Sequence, residues 1–253
     1  MKILVTNDDG IESIGILELA KGISSLGEIY VVAPDRKLSG IGGGVTFDRP
    51  IKVEEVSLHL GEKRAFKVYG TPSDCVILAL DVLVKDIDLV ISGINDEPNV
   101  GDDIRFSGTI GACREAAFSN ILALGVSLEY GTRGNFYEGA IEFCKTLVRF
   151  LEENRFPEGV ILNINVPNVP KKKIQGVKFV KLGRRKYRDR VHVVLDPYGK
   201  EYYWIGGMLI EDWEEETENN VLKKNYIAIT PLNIEETDYK FLEAMKQWKI
   251  KFP

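Results

Sequence analysis

Met1-Lys2-Ile3-Leu4-Val5-Thr6-Asn7-Asp8-Asp9-Gly10-Ile11 opens the chain, and the fold follows from how this stretch is read. Ile3-Leu4-Val5 is a short apolar run with strand character. It stops at Asn7-Asp8-Asp9-Gly10, residue types that favour turns because they tolerate unusual backbone angles or bond to their own backbone. From Ile14 the pattern is helical, with Ile16, Leu17, Leu19, Ile23 and Leu26 following. Asp8 and Asp9 therefore belong to a strand-to-helix turn, which in an open parallel sheet lies at the carboxyl edge where ligands bind. Adjacent carboxylates repel unless a cation, a shared proton or solvent offsets their charge. Two readings follow: a solvated turn with Asp9-Gly10 at its tip, or a site for a hard cation such as Mg²⁺ or Mn²⁺.

The chain has 253 residues, 44% hydrophobic and 28% charged, enough for one large α/β domain or a domain with an appendage. A net charge of −5 gives no global attraction to nucleic acid or to an anionic membrane. The longest apolar run, Cys75 to Val84, is interrupted by Asp81 and falls short of the roughly 20 residues that span a bilayer. Cys75, Cys113 and Cys144 lie far apart in helix-like patterns, which reads as reduced, buried thiols. With no leader-like apolar segment after Lys2, the expectation is a cytoplasmic protein. His59 and His192 stand away from every motif, which argues against a His-based nucleophile or a His-rich zinc site.

Further buried strands are expected at Ile29–Val32, Ile87–Ile91, Ile121–Val126 and Val160–Val166, with a hairpin from Ile51–Val56 and Ala65–Tyr69. Arg36 to Gly44 is a Gly-rich loop carrying Ser39, suited either to plain flexibility or to close approach of a ligand. Gly70-Thr71-Pro72-Ser73-Asp74 has a helix N-cap, a proline at the first helical position and an acid in the first turn. Ser107-Gly108-Thr109 begins another helix, where Ser107 caps the helix and free N–H groups favour an anion such as phosphate.

This alternation predicts an α/β fold: a doubly wound, mostly parallel sheet in three αβα layers. Its core is expected over residues 1–167. A C-terminal extension, 168–253, follows the proline and lysine linker, with a hairpin around Asp196-Pro197-Tyr198-Gly199, a last strand at Tyr226–Thr230 and a closing helix near Glu236–Trp248. The aromatic hairpin reads as an oligomerisation arm, the basic run Arg184–Arg190 as a solvated arm or subunit contact, and the acidic run Glu211–Glu218 as a solvated loop.

Asp8-Asp9, the Ser39 loop, the Asn95 loop and Ser127 each follow a central strand, so a parallel sheet brings them to one edge. Two carboxylates, a hydroxyl and an amide oxygen form an all-oxygen ligand set for Mg²⁺ or Mn²⁺. With the start of the Ser107 helix alongside as a phosphate cradle, these are the parts that hydrolysis of a phosphate ester by a metal-activated water requires.

The motif Val5-Thr6-Asn7-Asp8-Asp9-Gly10-Ile11 resembles the opening signature of the SurE family of 5′-nucleotidases, the survival-protein phosphatases. The likeness continues through Ala33-Pro34-Asp35 with Ser39, Gly70-Thr71-Pro72-Ser73-Asp74, Ser92-Gly93-Ile94-Asn95 with Asn99 and Gly101, and Ser107-Gly108-Thr109. It extends to Leu162-Asn163-Ile164-Asn165-Val166-Pro167 and Ile229-Thr230-Pro231-Leu232, so it covers nearly the whole chain in order.

The resemblance implies a Rossmann-like core, a swapped C-terminal arm in a homodimer or tetramer, and a nucleoside monophosphate substrate. It implies one divalent metal per subunit on Asp8, Asp9, Ser39 and Asn95, Asp8 and Asp9 serving catalysis. Phosphate would meet Asn95, Ser107, Gly108 and Thr109, with some activity on 3′-nucleotides and polyphosphate. Two positions depart from the family pattern: Gly42-Gly43-Gly44 stands where a Gly-His-Ser-like segment is common, and Glu97 where a glycine is usual.

Two alternatives, one a second enzyme mechanism and one a non-enzyme, fit less of the sequence. A covalent aspartyl-phosphate enzyme wants Asp-x-Asp after the first strand, not Asp-Asp-Gly. A receiver-like switch or nucleotide-binding module wants an acceptor Asp and a Lys after later strands, where this chain has Ser92-Gly93 and Asn165-Val166-Pro167.

Overall fold

The computed structural model describes residues 1–131, 134–154, 157, 159–211 and 214–249. In chain order, β1 (Lys2–Thr6), α1 (Ile14–Ile23), β2 (Glu28–Pro34), β3 (Val53–Val56), β4 (Arg64–Val68) and α2 (Pro72–Leu78) come first. Then follow β5 (Leu89–Asn95), α3 (Gly108–Phe118), β6 (Leu122–Leu128), α4 (Tyr137–Glu153) and β7 (Val160–Val166). Beyond them lie β8 (Gly176–Phe179), β9 (Arg185–Arg188), β10 (Val191–Leu195), β11 (Glu201–Ile205), β12 (Met208–Glu211), α5 (Glu218–Leu222), β13 (Tyr226–Asn233) and α6 (Tyr239–Met245).

The main sheet runs β3-β4-β2-β1-β5-β6-β7-β13-β8. Strands β4 through β7 are mutually parallel in that order, while β3 and β13 pair antiparallel with β4 and β7. Because side chains alternate faces along a strand, Ile3 and Val5 enter one core with α1 and α4, and Leu4 enters the other with α2 and α3. All three are fully buried, which a strand covered on both faces requires. The result is a Rossmann-like, doubly wound αβα sandwich. The chain leaves β1 toward β2 on one side and reaches β5 on the other, so the topological switch point lies between β1 and β5.

The helix start at Thr71 forms as expected: its hydroxyl accepts from Asp74 N–H at 3.1 Å, and Asp74 Oδ2 accepts from Thr71 N–H at 2.8 Å. The same residues hold the Gly-rich loop, because Thr71 Oγ1 donates to the Gly44 carbonyl and Asp74 accepts from Thr46 N–H and Oγ1. Gly42 N–H, in turn, donates to the Phe106 carbonyl at 2.9 Å. This loop is therefore pinned rather than loose.

Beyond residue 167, β13 and β8 extend the main sheet. β13 runs on through Pro231, past the expected end at Thr230. Pro231 pairs with Leu162 of β7, while pairing with β8 stops at Ile229, so no ladder bond is asked of the missing N–H on that side. The expected hairpin is β10–β11, with Asp196 Oδ1 accepting from Tyr198 and Lys200 N–H at 2.9 Å. A second pair, β9–β12, was not anticipated. Asp212 and Trp213 of the acidic run lie outside the described residues, but Glu218 at its end is fully buried, not solvated. The closing helix is shorter than expected, Tyr239–Met245. Among the described residues no helix is long and apolar enough to cross a membrane.

Candidate active site

The carboxyl ends of β1 and β5 meet where Thr6 pairs with Ser92. The register between β5 and β6 then shifts between Ser92 and Asn95, an irregularity of the kind that re-aims side chains near sites. Asp8, Lys37, Ser39, Asn95, Glu97, Asn99, Asp103, Phe106, Tyr130 and Arg185 line a small cleft of about 120 Å³ there. Three of the four expected ligand residues thus share its wall, and the fourth, Asp9, is their chain neighbour and pairs with Lys37 of the same wall.

Asp8 is 6% exposed, and Thr109 Oγ1 donates to its Oδ1 at 2.7 Å. Burial pushes the Asp8 carboxyl up from its ordinary value and the neighbouring Asp9 adds to this, while the Thr109 hydroxyl and backbone N–H oppose it. The approach of α3 depends on Gly108: a Cβ there would stand 2.7 Å from Asp8 Cβ and 3.0 Å from Asp8 Oδ2. Ser107 Oγ caps the helix by accepting from Ile110 N–H at 3.0 Å. The Ser107-Gly108-Thr109 segment therefore abuts Asp8, with Thr109 turned toward the carboxylate.

Asp9 meets a cation from its own chain, Lys37 Nζ, 2.7 Å from Oδ1. Its other oxygen, Oδ2, is buried with no hydrogen-bond partner among the described residues. Asn95 commits its Nδ2 to the Glu97 carbonyl at 2.6 Å, which leaves the amide oxygen as its acceptor. Ser39 is exposed at the cleft rim.

These residues suit a divalent cation. An orphaned buried carboxylate oxygen, a second buried carboxylate and two neutral oxygen donors nearby supply the hard ligands that Mg²⁺ and Mn²⁺ take. Among the described residues no three His, Cys, Asp or Glu side chains cluster to hold a metal, so the hydroxyl and the amide would have to complete the set.

Sequence reasoning brought Ser127 to this edge but did not find the contacts that hold the site's far wall. Asn99 donates N–H to Asn165 Oδ1 at 2.8 Å and Nδ2 to Ser127 Oγ at 2.8 Å, while its carbonyl accepts from Asn163 and Asn165 at 2.8 and 2.9 Å. The alternation Asn163-Ile164-Asn165 on β7 was the available signal, since buried amides on one face of a strand need partners. Arg185 corrects the solvated reading of the basic run. It is 8% exposed and pairs with Asp103 Oδ2 at 2.7 Å, and its guanidinium lies 5.8 Å from the Tyr130 ring. Tyr187 also donates to Asp103, and burial with that carboxylate pushes its phenol up to about 12.

The family described as Survival protein SurE matches over residues 3–189. The chain is 40% identical over 250 residues to the 5′-nucleotidase SurE of Geobacter metallireducens, spanning 98% of this chain and 97% of that protein. It is 39% identical over 252 residues to the 5′-nucleotidase SurE of Petrotoga mobilis, spanning 98% and 99%. Its backbone resembles the crystal structure of the SurE protein from Aquifex aeolicus with a TM-score of 0.84 at 36% identity, over 97% of this chain and 98% of that one. Profile, full-length relatives and backbone agree: the chain belongs to the SurE family.

Proposed function

We propose that this chain is a 5′-nucleotidase, a phosphohydrolase that removes phosphate from nucleoside 5′-monophosphates with the help of one Mg²⁺ or Mn²⁺ per subunit. The observation that carries the reading is the buried carboxylate pair Asp8-Asp9 at the switch point, one oxygen of it orphaned, in relatives' full-length company named 5′-nucleotidase SurE. Asp8, Asp9, Ser39 and Asn95 would hold the ion. Once bound, the ion lowers the pKa of a water and polarises a phosphoryl oxygen.

The chain's own groups do the rest. Thr109 favours the ionised form of Asp8, against the effect of burial, and fixes the direction of its carboxylate. Asp8 or Asp9 orients the attacking water by accepting a hydrogen from it. Asn95 and the Ser107-Gly108-Thr109 helix start form the phosphate side, where the helix dipole favours an anion. Dimers or tetramers form through the extension 168–253, whose hairpin β10–β11 exposes Tyr202, Tyr203 and Trp204. A cytoplasmic setting, with no nucleic-acid or membrane partner, completes the proposal. A receiver-like or nucleotide-binding module without hydrolase activity finds no support in the relatives.

The test is phosphate release from a panel of nucleoside 5′-monophosphates with Mg²⁺, Mn²⁺ or EDTA, for wild type and Asp8→Asn. Metal-dependent release that the variant loses supports the reading. Folded wild-type protein that releases nothing with any ion overturns it.

A further inference from the structure

Lys37 is not a loosely placed surface lysine. The loop that carries it is clamped to the acidic turn, because Leu38 N–H donates to the Asp8 carbonyl at 2.7 Å. Gly10, at φ +96°, lets the backbone of Arg36 come so near that a Cβ would stand 3.0 Å from the Arg36 carbonyl carbon. So anchored, the Lys37 ammonium reaches Asp9 Oδ1 at 2.7 Å, and Asp9 is nearly closed to water, with 7% of its side chain exposed. Pairs between solvated side chains contribute little, but one with a buried partner is screened much less. Lys37 itself is half open, at 53%, and lines the cleft beside Asp8, Ser39 and Asn95. Glu97, on the same wall, adds attraction for it. The other cation lining the cleft among the described residues, Arg185, is already engaged by Asp103.

We propose that Lys37 is a second cation of this site, one that competes with the divalent ion for Asp9 and binds the phosphate of the substrate from the same cleft. The proposal rests on the metal-dependent reading above. Like charges near one carboxylate repel, so the ammonium weakens the hold on a divalent ion. The same ammonium is a point charge suited to a phosphate oxygen. Lys37 thus trades metal affinity against phosphate affinity, and it does so beside Glu97.

The test compares wild type, Lys37→Met and Lys37→Arg, each shown to be folded by its melting curve. Mn²⁺ binding is followed by electron paramagnetic resonance without substrate, and inhibition by inorganic phosphate is measured at saturating Mn²⁺. Lys37→Met should bind Mn²⁺ about ten-fold more tightly. Its inhibition constant for phosphate should rise about ten-fold or more, and Lys37→Arg should return both values toward wild type. Unchanged or weaker Mn²⁺ binding in Lys37→Met, or an unchanged phosphate constant, overturns the proposal while leaving the nucleotidase reading intact. Wild-type protein that binds no Mn²⁺ overturns both.

Discussion

Replacing Thr109 by valine removes one hydrogen bond and almost nothing else. Thr109 is fully buried, its Oγ1 lies 2.7 Å from Asp8 Oδ1, and valine keeps the branched shape. A hydrogen bond to a charged group contributes about 1.5–3 kcal/mol, which is roughly a 10- to 150-fold change in an equilibrium constant. Partners that orient a metal ligand typically account for about 10- to 100-fold in metal affinity, so the two routes give the same range. Mn²⁺ titration of Thr109→Val should therefore show a dissociation constant raised at least about ten-fold, with phosphate release at sub-saturating Mn²⁺ falling in step. Thr109→Ser keeps the hydroxyl and should stay close to wild type. Mn²⁺ affinity within two-fold of wild type in Thr109→Val, by about the resolution of such titrations, would refute the claim that this hydroxyl keeps Asp8 in its working form.

Two further outcomes follow from particular contacts. Gly108→Ala pushes a methyl to within 2.7 Å of Asp8 Cβ, and a shift of about 1 Å at a reacting centre can cost roughly 100-fold in rate; steady-state phosphate release should fall on that scale, and a variant at half the wild-type rate or better would contradict the contact. Glu218→Gln tests pH dependence, because burial raises the Glu218 carboxyl above its ordinary value. A raised carboxyl favours the fold at low pH and loses that contribution as pH climbs through the folded value, so wild type should weaken relative to Glu218→Gln between acid and neutral pH. Urea midpoints taken across that range read the difference, and parallel curves for the two proteins would rule the effect out.

The sheet was legible because its strands are buried on both faces. A run such as Ile3-Leu4-Val5 has no polar position to alternate with, and each is punctuated by turn residues. Thr71-Pro72-Ser73-Asp74 was legible because capping is local chemistry between near neighbours in sequence. The convergence of Asp8, Ser39 and Asn95 on one cleft followed from topology alone. What stayed hidden depends on distant partners. Arg185 reads as a surface residue until Asp103, 82 positions away, is placed beside it. Glu218 looks like part of a solvated acidic run because the groups that bind it are the backbone N–H of Gly101 and Gly183, which leave no mark in a side-chain pattern. The pair β9–β12 lacks apolar alternation in Arg185-Lys186-Tyr187-Arg188, and Lys37 carries no sequence signal that tells a partner of Asp9 from any loop lysine.

The amide ladder around Asn99 also bears on the order in which the site comes into being. β1 and β5, which deliver Asp8 and Asn95, are complete by residue 95, yet the loop beyond them is held by Asn163 and Asn165, by Arg185, and by Glu218, which takes the N–H of Gly101. These clasps span 64 to 117 positions of sequence. During synthesis the acidic turn precedes every one of these partners, so its far wall is fastened only after Glu218 has followed. The acidic turn is in this sense an early motif whose surroundings are completed late, once the residues up to Glu218 are in place.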